Sequence, residues 1–279
     1  MAIVLALCAA LAFGVTDFSA GVASRRLSAG PVTAVLQALG LLTAGVGVLV
    51  LPGVGPRPAA LGFGALSGLG STIGSLSLYH GMTKGRMAIV ATLSAVLTAV
   101  LPVLFGLTLG QPLSVLAAVG IVVSIPAIAL VSWQADTADK SATSSGAGYG
   151  LLSGAGFAVL FIALDRAGTR SGAWPLIPGQ AVALLSVLPF AHRHEARLND
   201  LSLQLGGLIF ATGVISAVAN LLFLAATGRG DLAIVAVLSA MYPAITVLLA
   251  RFILTEKTTV PQSLGLAAAA VAVVLVTIG

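Results

Sequence analysis

The sequence predicts an all-α polytopic membrane protein, with ten transmembrane helices in two inverted five-helix repeats. Three observations lead there: the composition, the length of the apolar blocks and an internal duplication. Of 279 residues, 58% are hydrophobic and only 8% charged, with a mean hydropathy of +1.13, against roughly a quarter charged in soluble domains. The apolar blocks run about 18 to 24 residues, the length that crosses a hydrocarbon core of roughly 30 Å at 1.5 Å per residue. Barrel strands would instead alternate over about 10 residues. The duplication is direct. AIVATLSAVLTAVLPVLFGLTLGQ (88–111) lies over AIVAVLSAMYPAITVLLARFILTE (233–256) without a gap, since 233 minus 88 and 256 minus 111 both give 145. Seven of the first nine pairs are identical, and such self-similarity is settled before any other feature is read.

Taken in order, Pro, Gly and charge punctuate spans at 2–23, 31–51, 59–81, 87–109, 113–133, 148–166, 174–191, 204–226, 231–254 and 261–278. The first lacks a basic leader and its apolar run extends to about Ala23, so it reads as a span and not as a signal peptide. The third carries Gly64, Gly68, Gly70 and Gly74, small residues that let helix backbones approach where lipid supplies no drive for packing. Gly106 and Gly110 close the fourth in the same way. Pro102, Pro126, Pro189 and Pro243 fall within spans, where each removes a backbone donor. Pro243 is expected to kink the ninth span between Ser239 and Thr246, either for packing or beside a cavity.

The widest break in composition, QADTADKSATSSGAG, is polar and lacks hydrophobic periodicity. It divides a first repeat (1–133) from a second (148–279) through a linker at 134–147. Because five is odd, two halves joined by one linker enter the membrane from opposite sides, which makes the repeat inverted. Lys84 to Arg86 and Arg229 to Asp231 should therefore lie on opposite faces.

The net charge of +5 and pI near 10 come from basic residues scattered over short loops. That pattern fits contact with anionic lipid headgroups and not a nucleic-acid footprint. A lone cysteine, Cys8, excludes an internal disulfide and a cysteine metal cluster. His192 and His194 share no helical face, so no metal is expected, and no cofactor. The chain has no HExxH, GxSxG or phosphate-binding loop, which leaves no catalytic constellation.

Polar residues align where the apolar identities alone would not require it. At the same offset, Ser67, Ser71 and Ser75 fall on Thr212, Ser216 and Asn220. Spacing of i, i+4, i+8 puts each trio on one helix face over about 12 Å. Such a stripe is satisfied by a partner helix, by its own backbone or by a cavity. Asn220 stands out, because an amide has more donors and acceptors than its own backbone can occupy. Ser94 with Thr98, and Ser239 with Tyr242 and Thr246, extend these faces. Tyr79 and His80, late in the third span, read as an interfacial tyrosine and a satisfied histidine or as solute contacts. Asp17 sits within the first span, where an ionised carboxylate is costly and should face the interior. It offers a proton-coupling group, a counter-ion for a cationic solute, or a carboxylate reaching water near the helix end. Arg251 can snorkel, and Asp165 with Arg166, like Glu256 with Lys257, reads as interfacial anchoring.

The stretch LSAMYPAITVLLARFILTE followed by a Gly-containing apolar helix resembles the signature half of EamA-type transporters of the drug/metabolite transporter superfamily, most specifically at Tyr242, Pro243, Thr246 to Leu254 and Glu256. The first repeat departs from it, with Thr98 opposite Pro243, Pro102 a turn later and Gln111 opposite Glu256. Phe13-Gly14 stands where Trp-Gly is common, and Gln37 where Arg is frequent. The resemblance implies a central cavity lined by spans 1, 3, 4, 6, 8 and 9, and a multi-pass protein of the plasma (inner) membrane. It implies a secondary transporter that moves a small metabolite, amino acid or drug-like solute, often outward, by alternating access. The alternatives are a channel for a small solute or a membrane-embedded enzyme. Cytoplasmic termini are implied too, whereas the odd-numbered loops carry eight Lys/Arg against four in the even-numbered ones, Arg251 apart, and by that rule the termini lie outside. Substrate, coupling ion and oligomeric state are not encoded in any motif.

Overall fold

The structure, a computed structural model, describes residues 1–24, 29–51, 53–84, 87–110, 113–131, 146–193, 203–253 and 259–278. Most of the expected linker lies outside the described residues, as do Gln111, His194 and Glu256. The first repeat supplies α1 (Ala2–Ser24), α2 (Ala29–Val50), α3 (Pro58–Lys84), α4 (Met87–Thr108) and α5 (Val115–Val131). The second supplies α6 (Ala147–Ala167), α7 (Leu176–Arg193), α8 (Leu203–Thr227), α9 (Leu232–Ser239), α10 (Tyr242–Ile253) and α11 (Val260–Ile278). By length and composition alone, α1, α2, α3, α6 and α8 can each cross a membrane. Large apolar side chains such as Leu42, Leu49, Leu185 and Phe252 point outward, as lipid-facing positions should.

The expected ninth span is two helices, and its break precedes Pro243. The chain turns at Ala240 and Met241, and Pro243 is the second residue of α10. In the first turn of a helix the missing N–H has no intrahelical partner to lose, so the proline starts a helix here instead of kinking one. Pro102, Pro126 and Pro189 stay inside continuous helices.

Packing follows the duplication. With α1, α2, α3, α4 and α5 matched to α6, α7, α8, α9–α10 and α11, every major contact has a repeat mate. The α3–α6 contact mirrors α8–α1, α3–α7 mirrors α8–α2, and α4–α6 mirrors α9–α10 on α1. The α2–α7 and α5–α11 pairs mirror themselves. Two swapped bundles result, α3/α4/α6 and α8/α9–α10/α1, each drawing helices from both halves of the chain.

The α3–α6 seam and its mirror, the α8–α1 seam, are not built alike. In the first, a Cβ added at Gly70 would lie 2.6 Å from the Gly156 carbonyl and the Leu160 nitrogen, and one at Gly156 would lie 2.5 Å from the Gly74 nitrogen. At the 145 offset, Gly70 and Gly74 are replaced in α8 by Ile215 and Ala219, so the mirror seam carries side chains where the first has bare backbone. At one end of the molecule the α2–α3 and α6–α7 loops clasp each other. The Val54 N–H donates to the Arg170 carbonyl at 2.8 Å and the Ala173 N–H to the Leu51 carbonyl at 2.9 Å. Gly53 and Gly172 hold φ of +59° and +57° in this clasp, a conformation only glycine adopts at little cost.

Candidate functional site

A small cavity lies among the helices, and its walls differ from the list the resemblance implies. It is lined from α3 by Ser67, Gly68 and Ser71, from α6 by Leu160 and Leu164, from α7 by Leu176, Gly179, Gln180 and Ala183, and from α8 by Asn220. It thus lies between the two bundles, with α7 on one side, and among the described residues none of α1, α4 or α9 lines it. Its volume is about 10 Å³, room for about one water molecule. The close approach of α3 to α7 makes it narrow: a Cβ at Gly64 or Gly68 would collide with the Pro175 or the Gly179 carbonyl.

The polar stripes divide in their roles. Ser67 Oγ donates to the Gly64 carbonyl at 2.6 Å and Thr212 Oγ1 to the Leu208 carbonyl at 2.7 Å, each bonding its own helix. Ser71 Oγ accepts from Gln37 Nε2 at 3.3 Å. Asn220 Nδ2 donates to the Ser216 carbonyl at 3.0 Å. That bond fixes the amide, since turning it over would set two oxygens against each other. Four buried side-chain oxygens among the described residues lack a partner, and two of them, Asn220 Oδ1 and Gln180 Oε1, belong to cavity residues. Each unsatisfied buried acceptor costs about 1–3 kcal/mol, a cost that a bound donor would relieve.

Of the sequence candidates, the structure brings Ser71 and Asn220 together at the cavity, with Ser216 supporting Asn220 through its backbone. Ser75 is partly buried one turn along α3, outside the lining. His80 is exposed and lies against Tyr149, ring centroids 5.8 Å apart. The Tyr79 side chain lies outside the described residues. Asp17 is partly buried on α1, away from the lining.

Ser94 and Thr98 belong to the seam of the first bundle. Ser153 Oγ donates to the Gly74 carbonyl at 2.9 Å, so at the 2.8 Å contact between the two hydroxyls it is Ser94 that donates to Ser153. Thr98 Oγ1 returns to the Ser94 carbonyl at 2.8 Å. The chain ties α4, α6 and α3 together. Its mirror is weaker: Ser239, mate of Ser94, reaches only the Ala6 carbonyl at 3.5 Å.

Tyr242 packs edge-on against Phe13 (6.5 Å, 62°), Phe13 lies 5.9 Å from Phe161, and Phe161 stacks on Phe223 at 4.2 Å and 17°. This aromatic row crosses α10, α1, α6 and α8. It ends at Phe223, one turn from Asn220 on the same helix.

Gln180 was missed by sequence reasoning, and Gln37 was read only as a departure where Arg is frequent, although a signal linking the two was present. QALGLLT from Gln37 and QAVALLS from Gln180 are repeat mates, at an offset of 180 minus 37, or 143, instead of 145. Their burial agrees: Gly40 and Ala183 are buried, while Leu42 and Leu185 are 70% and 66% exposed. One mate is satisfied by Ser71 and the other turns an open oxygen to the interior. The Gln180 amide lies against Gly40 of α2, where a Cβ would come within 2.7 Å of Oε1.

Residues 144–278 match the sequence model of the EamA-like transporter family. A solved crystal structure is similar over 99% of this chain and 96% of its own, with a TM-score of 0.77 at 17% identity, a likeness of fold. No curated protein matches. The matched segment is the second repeat, which carries the more specific residues, Tyr242 and Pro243 among them. The second repeat is thus similar to the EamA-like transporter family, a family of membrane transporters.

Proposed function

We propose that the protein is a secondary transporter that carries a small metabolite, amino acid or drug-like solute by alternating access to the cavity between its two bundles. The observation that carries this reading is the pair of unpaired oxygens, Asn220 Oδ1 and Gln180 Oε1, in a cavity that holds about one water. A channel needs a continuous wetted path, whereas a cavity with room for about one water interrupts such a path and fits a carrier between its open states. The bundles α3/α4/α6 and α8/α9–α10/α1 are the units that rock, so each moving body contains helices of both repeats. The serine chain ties three helices of the first bundle together, and in this reading α8 and α1 move against it.

Asp17 belongs to the mobile bundle and is the candidate for proton coupling. The test is a solute panel on proteoliposomes, with and without a pH gradient, for wild type and Asp17→Asn. Saturable flux driven by the gradient in wild type but not in Asp17→Asn supports both assignments. Equal gradient response in a folded Asp17→Asn protein removes Asp17, and flux that never saturates removes the carrier.

A further inference from the structure

We propose that the cavity selects an uncharged solute presenting a primary carboxamide, over the same solute carrying a carboxylate or an ammonium. This rests on the carrier reading above and names the head group its site would take.

Among the described residues the lining contains no charged side chain, and its polar groups are Ser67, Ser71, Gln180 and Asn220. Asn220 is 8% exposed, and its Nδ2 is committed to the Ser216 carbonyl at 3.0 Å, which leaves Oδ1 as a fixed acceptor without a partner. Gln180 Oε1 is a second unpaired acceptor. Ser67 spends its proton on the Gly64 carbonyl. Ser71 accepts from Gln37 and keeps its own proton to give. The site therefore offers two unpaired acceptors and the Ser71 hydroxyl as a donor, beside the remaining N–H groups of the Asn220 and Gln180 amides, all neutral.

A primary carboxamide is the complement: its two N–H groups meet Oδ1 and Oε1, and its carbonyl oxygen accepts from Ser71. A carboxylate would turn lone pairs towards both acceptors. An ammonium would satisfy them, but would bring a charge into a lining without a counter-ion and leave Ser71 without an acceptor. At about 10 Å³ the cavity is smaller than such a head group, so these contacts form as α8 moves away from α3 and α7.

The test uses the whole purified protein in nanodiscs and three probes on one ring: nicotinamide, nicotinate and 3-(aminomethyl)pyridine. Ligand-induced rise in unfolding temperature is the readout. The expected order is nicotinamide first, with apparent affinity at least about tenfold above the other two, a difference of roughly 1.4 kcal/mol. Asn220→Leu should remove the preference. Asn220→Asp keeps the size of the side chain but sets an oxygen against the Ser216 carbonyl, so its fold is checked first by a cooperative unfolding transition without ligand; it should then reverse the order in favour of the aminomethyl probe. Nicotinate binding as well as nicotinamide, no stabilisation by any probe, or an unchanged order in Asn220→Asp each overturns the proposal. Saturable flux in vesicles that depends on Asn220 without amide preference sinks this inference and leaves the carrier reading intact. Amide-selective binding without flux of any solute does the reverse.

Discussion

Substituting Gly70 in α3 by alanine separates two effects of opposite sign. Helix propensity favours alanine over glycine by up to about 1 kcal/mol, so on local grounds the change stabilises. Packing opposes it. The new Cβ would lie 2.6 Å from the Gly156 carbonyl and the Leu160 nitrogen, whereas ordinary contact begins at 3.4 Å, so α3 and α6 must part by the difference, 3.4 minus 2.6, or 0.8 Å. Backbone, not a flexible side chain, stands in the way. A gap of 0.5–1 Å forfeits a quarter to a half of the dispersion well along a seam, and overpacking of this kind costs about 1–3 kcal/mol. The net prediction is destabilisation of about 0–2 kcal/mol once propensity is subtracted, against a gain of up to about 1 kcal/mol where nothing is in the way. Gly62, on the same helix, is the control, because a Cβ there meets nothing within 4 Å, and its alanine variant should be neutral or stabilising. Thermal unfolding of the purified proteins in one detergent reads both. A Gly70→Ala protein as stable as Gly62→Ala would refute the assignment of the α3–α6 seam as the tight one.

Two further outcomes follow from the same geometry. Ser153→Ala removes the centre of the Ser94–Ser153–Gly74 chain; at about 0.6 kcal/mol for an average interhelical bond in a membrane protein, two bonds predict roughly 1 kcal/mol, while Ser239→Ala in the mirror seam, with its single 3.5 Å contact, should cost less by the same thermal assay. Gly172→Ala puts a side chain at φ +57° and against the Leu51 carbonyl, costing about 1–2 kcal/mol for the left-handed backbone alone, and should speed amide hydrogen exchange at Val54 and Ala173.

The fold was legible because its causes are local. Apolar length dictates spans, and the odd count of spans per repeat dictates inversion. Asn220 and Ser71 were legible because a constant offset laid one polar stripe over another. Gln180 was not, since the second helices are related by 143 and not by 145, and a shift of two residues turns a helix face by about half a turn. The separation of Ser94 and Thr98 from the cavity was hidden for another reason. Their face is set by where Ser153 of α6 arrives, and in a swapped bundle that partner comes from the other half of the chain. The break before Pro243 was misjudged because periodicity cannot distinguish a proline that kinks a helix from one that begins the next.

The central claim is that solute meets Asn220 in a cavity open to one side at a time. Trans-stimulated exchange in proteoliposomes measures this most directly: labelled solute is held inside and unlabelled solute is added outside. The account predicts that added solute accelerates release, with saturation, and that Asn220→Leu abolishes the acceleration in a folded protein. Release that is linear in concentration and indifferent to solute on the far side would contradict it.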